Sequence, residues 1–204
     1  MMMKKFNYSL LLAIISIGLI SCSEDDSVTP NIIDSGQIGE SSYRISELGE
    51  NHHSIYTEIV IEASASEVWS VLTDWDNYTL GDGEGWSTTF LGLELIEGNA
   101  IEDGAIVDAY LFFEGFGNGP YRHTLIYRDG IEFGWSDPVA GSDQITDNHI
   151  YRVEEISATQ TRFIQTDEYM GVDANGFFTT ETLALNGIFH FNTFNNELKA
   201  EVER

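Results

Sequence analysis

The last stretch of the chain, from Gly176 to Arg204, places apolar side chains at steps of three and four residues. The positions that fall on this side are Ala184, Ile188, Phe191, Phe194 (or Asn195), Leu198 and Val202. This spacing predicts one long amphipathic helix that ends the chain. Because the apolar face is wide and aromatic, we expect the helix to lie across a large hydrophobic surface, for which the preceding strands are the candidate.

Seven segments before this helix alternate apolar and polar residues, which predicts β-strands joined in hairpin order. They cover residues 53–63, 87–97, 105–114, 121–128, 131–136, 149–156 and 162–170. The pattern predicts an α+β domain in which a curved, seven-stranded antiparallel sheet surrounds the long terminal helix. We expect a cavity between the sheet and the helix.

Two short helices are predicted after the first strand. Ser64 and Glu67 have the spacing of a capping box, so a helix should begin there, and residues 74–78 indicate a turn into a second helix. We expect the glycine-rich segment 81–85 to be a mobile loop at the mouth of the cavity. This segment lacks both the ligand spacing of a calcium loop and the lysine of a phosphate loop.

Two turns set the expected register of the later strands. Asp129-Gly130 is typical of a two-residue turn, and the last hairpin turns either at 158–159 or over 157–160. The expected pairs are Thr124 with Trp135, Val153 with Ile164, Tyr151 with Thr166 and His149 with Glu168. The face of the last hairpin that carries residues 163, 165 and 167 is then expected to lie toward solvent.

Residues 1–21 predict a signal peptide, because two lysines precede a short apolar run that contains no acidic residue. Leu19-Ile20-Ser21-Cys22 resembles the bacterial lipobox, in which the cysteine is lipidated and becomes the first residue of the mature protein. Cys22 is the only cysteine, so neither an internal disulfide nor a CxxC or cysteine-zinc site is possible. We expect an outer-membrane lipoprotein of the bacterial cell envelope, held to the membrane through the lipid on Cys22.

Residues 22–51 are polar and lack a sustained period, which predicts a lipidated cysteine followed by a flexible acidic tether. The remaining residues, 52–204, are then the folded domain. The acidic cluster 23–26 resembles a tag that exports lipoproteins to the cell surface. A solvated tether explains the same cluster equally well.

The chain of 204 residues carries a net charge of −25. Loss of residues 1–21 removes two lysines, and the remaining 7 basic and 34 acidic residues give −27. This excess of negative charge argues against nucleic acid as a partner, because no basic stripe is present to pair with phosphates. For the same reason, direct docking on anionic head groups is not expected.

The segments ASASEVW (63–69) and LTDWDNY (72–78) resemble the opening of the START-like (SRPBCC) superfamily, which includes polyketide cyclases/dehydrases and lipid-transfer proteins. Later landmarks of the cyclase/dehydrase-like branch are Trp135, HIY (149–151), TDEYMG (166–171) and FNNELK (194–199). The resemblance covers about residues 54–204 and implies the helix-grip (START/Bet v 1-like) fold. The glycine loop before Trp86 departs from the pattern of this branch at the cavity entrance.

Members of this superfamily include enzymes, carriers and chaperone-like proteins, so the implied fold does not define a function. We expect His149 and Glu168 to face the cavity as a hydrogen-bonded pair. Together with Tyr151, Thr166 and Arg122 they would orient the polar group of an apolar ligand. A His held by a carboxylate could also act as a general base. A purely structural pair is the third interpretation.

The candidate ligand-binding residues are aromatic and polar side chains expected near the cavity. They are Trp75, Trp86, Tyr110, Phe112, Arg122, Trp135, His149, Tyr151, Thr166, Glu168, Gly187, Phe189 and Phe191. His52, His53 and His123 are expected on the surface. The sequence contains no dinucleotide, zinc or Ser-His-Asp pattern, so we expect neither a cofactor nor a metal.

The sequence favours an extracytoplasmic carrier, sensor or scavenger of a small hydrophobic molecule. One alternative is a cofactor-free cyclase, dehydratase or isomerase that uses the His149–Glu168 pair. Another is a protein-interaction module whose interior is filled by its own side chains. A cavity of several hundred Å³ would favour the first two classes, and a closed core would favour the third.

Overall fold

Nine strands form one antiparallel sheet in the computed structural model, which describes residues 30–80, 85–112, 119–138, 144–171 and 181–204, apart from the side chains of 181–186. The strands are β1 (Asn31–Ile38), β2 (Ser41–Gly49), β3 (His52–Ile61), β4 (Phe90–Glu97), β5 (Ile106–Leu111), β6 (Tyr121–Arg128), β7 (Glu132–Pro138), β8 (Thr146–Ser157) and β9 (Gln160–Met170). Their order is β1-β2-β3-β9-β8-β7-β6-β5-β4, so β1 and β4 lie at the edges.

Two α-helices and a 3-10 helix are described. They are α1 (Ala65–Leu72), the 3-10 helix (Trp75–Asn77) and α2 (Glu181–Val202). The predicted capping box is confirmed, because the Ser64 hydroxyl accepts from the Glu67 amide while the Glu67 carboxylate accepts from the Ser64 amide. None of the helices in the described segments is long and apolar enough to span a bilayer.

The terminal helix α2 packs on the inner face of the sheet. Its buried side chains are Ile188, His190, Phe191, Asn192, Phe194, Asn195 and Leu198. Gly187 lies against β3, where an added Cβ would be 2.9 Å from Ile55 Cδ1. Glycine at this position therefore allows the helix to approach the sheet closely, which offsets its unfavourable helix propensity.

The prediction of seven strands and of a tether reaching residue 51 is wrong for residues 31–49, which form β1 and β2. β1 is an edge strand whose side chains are almost all exposed, so it lacks an apolar alternation. β2 buries two serines, Ser41 and Ser46, beside a single buried aliphatic residue, Ile45, and its Tyr43 is partly buried. A strand of this composition resembles a polar linker, which explains why the sequence pattern does not reveal it.

Several expectations concern residues outside those that the structure describes. They are the signal peptide (1–21), the lipid site at Cys22, the acidic cluster (23–26), most of the loop 81–85, the end of the third predicted strand (113–114) and the start of the terminal helix (176–180).

The buried side-chain amide of Asn195 connects α2 to β2 and β3. Asn195 Nδ2 donates to Ser41 Oγ at 2.8 Å and to Thr57 Oγ1 at 3.0 Å, while its Oδ1 accepts from Gln165 Nε2 at 2.6 Å. The next residue, Asn196, donates to the carbonyl of Ile38 at 2.9 Å. The hairpin β1–β2 is therefore held to the helix by specific hydrogen bonds in addition to the apolar contacts of Ile38, Tyr43 and Ile45.

The β6–β7 hairpin has three residues in its turn, 129–131, rather than the two expected. Gly130 takes a φ of +73°, which glycine adopts without strain. The additional residue moves the register by one, so the expected Thr124–Trp135 pair is wrong and Leu125 pairs with Trp135. Both members of the observed pair are buried.

The β8–β9 hairpin turns where expected, but its register shifts by one residue between Glu155 and Ser157. His149 is therefore opposite Asp167 and not opposite Glu168. Because side chains alternate along a strand, this single bulge exchanges the inner and outer faces of β9 relative to the prediction.

We predict that Asn195→Ala lowers the free energy of unfolding by about 1–3 kcal/mol, because Gln165, Ser41 and Thr57, which are all buried, each lose one hydrogen bond. Urea denaturation monitored by circular dichroism measures this change. Asn196→Ala is the matched control, since it removes bonds at a partly buried position of the same helix. A loss at Asn195 no larger than the loss at Asn196 would contradict the role assigned to the Asn195 amide.

Candidate functional site

The shifted register turns a row of polar side chains toward the interior. His149 and Tyr151 of β8 lie beside Gln165 and Asp167 of β9, and each is at most 3% exposed. All four face α2 across the inner surface of the sheet. The face of β9 that was expected to meet solvent is therefore the face that lines the interior.

The predicted His149–Glu168 pair is wrong. Glu168 lies on the outer face of β9, where its Oε2 is 3.0 Å from Nε2 of His52. Thr166 occupies the same outer face, since it pairs with Tyr56 of β3. Neither Glu168 nor Thr166 belongs to the site between sheet and helix.

A chain of hydrogen bonds assigns the tautomer of His149. Gln165 Nε2 donates to the Phe191 carbonyl at 3.2 Å and to Asn195 Oδ1 at 2.6 Å, so Gln165 Oε1 is left as an acceptor. His149 Nε2 lies 3.2 Å from that oxygen and must supply the hydrogen. In the neutral ring, Nδ1 of His149 is therefore the unprotonated nitrogen.

Aromatic rings surround His149. Its ring centroid is 4.5 Å from that of Tyr151, 4.6 Å from Phe191 and 5.1 Å from Trp135. Burial among these rings lowers the pKa of His149, because the charged form loses its hydration, while the nearby Asp167 carboxylate acts in the opposite direction. At neutral pH the imidazole is uncharged.

Two aspartates lie next to this histidine on the inner face. Asp167 accepts from the hydroxyl of Tyr169 at 2.6 Å through Oδ2. Asp147 is two residues before His149, on the diagonal from Asp167. Burial raises the pKa of Asp147 well above its usual range, and the charge of Asp167 raises it further. In the described part of the chain, Oδ1 of each aspartate has no hydrogen-bond partner.

A second buried histidine lies on the far side of Trp135. The ring of His123 stacks on Trp135 at 4.4 Å, and its Nδ1 is 3.1 Å from Oδ2 of Asp137. Burial lowers the pKa of His123, and Asp137 opposes this effect. The expectation that His53 and His123 lie on the surface is wrong, because His53 is 5% exposed and the side chain of His123 is 10% exposed.

Between the sheet and α2 the side chains leave a small cavity. Its volume is about 10 Å³, which is near the space that one water needs. Its lining residues are Thr89, Phe90, Leu111, Tyr151, Gln165, His190, Phe191 and Phe194. The cavity is far smaller than the several hundred Å³ that a drug-sized ligand occupies, so the interior is nearly closed.

The candidate residues of the sequence analysis fall into three groups. The first group lies in the interior, near the cavity or around His149, and consists of Trp135, Tyr151, Phe191 and His149 itself. The second group belongs to the packing of the core. The ring centroid of Trp75 is 5.2 Å from that of Phe133, and the ring centroid of Trp86 is 5.1 Å from that of Phe194. Gly187 contacts β3. The remaining residues, which point outward or are largely exposed, are Tyr110, Phe112, Arg122, Thr166, Glu168 and Phe189.

Arg122 differs most from its expected role. Its side chain is 60% exposed and forms two hydrogen bonds with Asp108, through Nε and Nη2, on the outer face of the sheet. This guanidinium lowers the pKa of the Asp108 carboxyl. Arg122 is therefore not a cationic anchor inside the cavity.

The residues that the sequence analysis missed are polar groups of the inner face. They are Thr89, Asp147, Gln165, Asp167, His190 and Asn195. The alternation of residues along β9 was recognised, but the bulge exchanges which set of residues faces the interior. With the shifted register, the same alternation places Gln165 and Asp167 inside. Within residues 30–80, 85–112, 119–138, 144–171 and 181–204, no three His, Cys, Asp or Glu side chains are placed to hold a metal ion.

Neither a family model nor a curated protein sequence matches the chain. Solved structures do match it. The chain is similar to the Zhui aromatase/cyclase from Streptomyces sp. R1128, with a TM-score of 0.57 and 14% identity, over 75% of this chain and 94% of that one. A START superfamily protein from Mycobacterium smegmatis gives a TM-score of 0.52 and 13% identity, over 74% and 97%.

The lipid transfer and protein localization domain of human StarD13 (DLC2) gives a TM-score of 0.52 and 11% identity, over 86% of this chain and 89% of that one. These neighbours belong to the START/polyketide cyclase/Bet v 1-like superfamily. The curved antiparallel sheet with its C-terminal helix is accordingly the START or helix-grip fold, here with nine strands rather than seven. At these identities the likeness establishes the fold.

We predict that Asp147→Asn stabilises the protein at neutral and alkaline pH. The folded-state pKa of Asp147 lies well above the unfolded value of about 4, so ionisation costs stability as the pH rises from about 4 toward the folded pKa. The amide does not ionise. We expect Tm to rise at pH 8 by about 2–4 °C, the shift for roughly 1 kcal/mol in a domain of this size, and the gain to vanish near pH 4.

Asp108→Asn is the control for this pH dependence, measured by the same calorimetric scans. The pKa of Asp108 is lowered by Arg122, so its ionised form contributes stability above the unfolded pKa, and this contribution is lost as the pH falls. Asp108→Asn should therefore lower Tm at pH 8, opposite in sign to Asp147→Asn. A decrease of Tm at pH 8 in both variants would contradict the raised pKa of Asp147.

Proposed function

We propose that this protein is a lipid-anchored extracytoplasmic domain that binds a small hydrophobic molecule between its sheet and α2, as a carrier, sensor or scavenger. Buried polar atoms that face the aromatic interior without partners are the observation that carries the proposal. Among the described residues they include Thr89 Oγ1, Trp135 Nε1 and Asp167 Oδ1. Each residue is at most 6% exposed.

In a core filled only for stability such groups are unfavourable. An unpaired buried donor or acceptor costs about 1–3 kcal/mol, and native interiors contain few of them. A ligand with one or two polar atoms and an apolar body would pair these groups while replacing ring contacts of the interior. The unpaired atoms therefore favour an occupant over a permanently closed core.

The small cavity marks where the ligand would enter the interior. Its walls combine aromatic and aliphatic side chains with three polar ones, Thr89, Gln165 and His190. Such a mixture, mostly apolar with a few convergent polar groups, is typical of small-molecule sites. Any ligand larger than water requires the lining side chains to turn aside, so we expect the cavity to widen when it is occupied.

The names of two structural neighbours agree with this class of ligand. One is a lipid transfer and protein localization domain, and another is an aromatase/cyclase. Both descriptions concern those proteins. They support a hydrophobic partner for this chain in so far as the same fold places the same kind of interior between sheet and helix.

A cofactor-free cyclase, dehydratase or isomerase is the second candidate. The observation in its favour is the fixed tautomer of His149, whose Nδ1 is a free base at neutral pH, with the Asp147–Asp167 pair beside it as a proton donor. Such a neighbouring acid and base have the chemistry needed to move a proton within a bound substrate.

A protein-interaction module is the third candidate, and the near closure of the interior favours it. In that case the acidic surface, with a net charge of −25 over the whole chain, would be the binding surface for a partner protein. This candidate gives no reason for the unpaired polar atoms of the interior.

We predict that native mass spectrometry detects a bound small molecule after the chain without residues 1–21 is incubated with a lipid extract of the source organism. Thr89→Val keeps the shape of the side chain but removes its hydroxyl, so we expect retention to fall about two- to tenfold, as the loss of one hydrogen bond implies. Thr124→Val, on the exposed outer face of β6, is the matched control and should bind normally.

The same spectra distinguish the three candidates. A retained molecule of unchanged mass supports binding, and its conversion to a second mass supports the enzyme. An empty protein that also shows no thermal shift with hydrophobic compounds would exclude both and favour the interaction module. Equal retention by Thr89→Val and wild type would show that the Thr89 hydroxyl does not bind the ligand.

The anchoring part of the proposal rests on the lipobox-like Leu19-Ile20-Ser21-Cys22 and predicts that the protein moves with membranes. In a bacterium that processes lipoproteins, wild-type protein should appear in the membrane fraction with the added mass of acyl chains. Cys22→Ala should lose the added mass. Protease treatment of intact cells then tests surface exposure, and a wild-type protein without acyl mass would contradict the lipid anchor.

A further inference from the structure

The two interior aspartates have no permanent cation in the chain to neutralise them. All seven lysine and arginine residues beyond residue 21 lie in described segments, and each has a partner elsewhere. They are Arg44 over the Tyr56 ring, Arg122 with Asp108, Arg128 and Arg152 with Glu132, Arg162 with Glu58 and Glu154, Lys199 with Glu203, and Arg204 with Glu201. Positive charge at Asp147 and Asp167 must therefore come from a proton or from a ligand.

In the empty protein a shared proton fits the hydrogen-bonding pattern. Oδ2 of Asp167 is occupied by the Tyr169 hydroxyl, whereas Oδ1 of Asp167 and Oδ1 of Asp147 have no donor among the residues that the structure describes. A hydrogen bond between two carboxyl groups requires that one of them be protonated. Asp147 is the carboxyl that would hold this proton, because burial and the charge of Asp167 raise its pKa.

Aromatic side chains and an indole N–H border the pair. Trp135 is 1% exposed, and its Nε1 lies close enough to Asp147 to lower the pKa of that carboxyl, although it has no hydrogen-bond partner in the described segments. Tyr151 stands two residues beyond His149 on the same face, and Tyr169 covers Asp167. Ring faces beside carboxylates are typical surroundings for organic cations.

The pair lies on the same inner face of the sheet as the cavity. Gln165, which lines the cavity, is two residues from Asp167 on the same face of β9, a distance of about 7 Å along the strand. An apolar group in the widened cavity and a polar group at the carboxyls would thus belong to one small molecule. Asp147 is partly exposed as a residue but its Oδ1 is buried, and Asp167 is 3% exposed.

We propose that Asp147 and Asp167 bind the ammonium group of a small hydrophobic amine whose apolar part occupies the interior between the sheet and α2. This inference rests on the proposed function and names the class of ligand for the same interior. The ammonium donates to the two Oδ1 atoms that have no other partner, and the rings of Trp135 and Tyr151 contact its carbon skeleton.

Charge and protons balance in this exchange. Before binding, the pair holds one proton and carries one negative charge. When a protonated amine binds, the shared proton leaves to solvent, and two carboxylates with one ammonium again carry one negative charge. The interior therefore gains no net charge, and one proton is released for each amine that binds.

Other titratable groups face the pair from neighbouring strands and from the helix. They are His53 on β3, His123 on β6, Asp137 on β7, His149 on β8, Tyr169 on β9 and His190 on α2. Burial lowers the pKa of His149 and of His123, so these two rings are neutral at pH 7.

The test uses three probes with one skeleton, namely 2-phenylethylamine, 2-phenylethanol and phenylacetate, and the chain without residues 1–21, which retains every described residue. Isothermal titration calorimetry at pH 7 in two buffers of different ionisation enthalpy gives both affinity and proton release. We expect the amine to bind at least about tenfold more tightly than the alcohol, as a charge-assisted hydrogen bond implies, and phenylacetate to bind least. About one proton should be released per amine.

Asp147→Asn and Asp167→Asn identify the site. In both variants the affinity for the amine should fall toward that for the alcohol, and proton release should disappear in Asp147→Asn, which lacks the carboxyl that holds the proton. Unchanged affinity for the alcohol shows that each variant is folded and that the interior remains open to a ligand. Asp108→Asn, which removes a buried carboxylate on the outer face, should keep the preference for the amine.

The outcomes separate this inference from the proposed function. Equal binding of amine and alcohol to wild-type protein would overturn the amine site and leave hydrophobic binding in place. A preference for the amine that survives both Asn variants would also overturn it. Binding of none of the three probes, together with an empty native mass spectrum, would overturn both.

Discussion

One extra residue in β8, at Ile156, determines which side chains enter the interior. Because alternate residues of a strand point to opposite faces, the bulge directs Gln165 and Asp167 toward α2 and places Thr166 and Glu168 outside. The hydrogen bonds of Gln165 to the helix, the tautomer of His149 and the position of the acid pair all follow from this register. Without the bulge, β9 would present a threonine and a glutamate to the same helix.

The interior that results has two parts with different energetics. On the side of β3 and β9, the amides of Gln165 and Asn195 form a continuous series of hydrogen bonds that ends at hydroxyls of Ser41 and Thr57. Each amide hydrogen in this series has an acceptor, so the network fixes the position of α2 and favours one arrangement of the core. Toward the cavity and the acid pair, the polar atoms of Thr89, Trp135 and Asp167 remain unpaired among the described residues.

The overall fold follows from the sequence because its strands and its last helix have strong periods. The capping box at Ser64 and the buried positions Ile188, Phe191 and Leu198 were predicted, and the structure confirms them. The N-terminal strands could not be predicted in this way, because β1 is an exposed edge strand and β2 buries serines as well as isoleucine. Such strands are defined by hydrogen bonds to distant residues, which leave no local pattern.

The site was harder to predict than the fold, and a shift of one residue in each of two hairpins explains most of the difference. Turn residues show where a hairpin reverses, but a bulge changes the pairing beyond the turn, and nothing in the local sequence around Ile156 distinguishes a bulged strand from a regular one. The prediction that Trp135, His149 and Tyr151 lie in the interior is correct, because it depends only on the alternation along their own strands. The predicted pairing partners of these residues are wrong, because pairing depends on the register between strands.

The acid pair connects the interior to the charge of the whole protein. A net charge of −25 raises the local concentration of cations and disfavours anions near the molecule, while every lysine and arginine beyond residue 21 is held at another group. In an interior of low dielectric, a second buried negative charge is costly, so the empty pair retains a proton. A neutral ligand leaves that proton in place and gains only neutral hydrogen bonds. A ligand that carries its own positive charge allows both carboxylates to ionise without adding charge to the interior, which is why the geometry of Asp147 and Asp167 selects for charge as well as for shape.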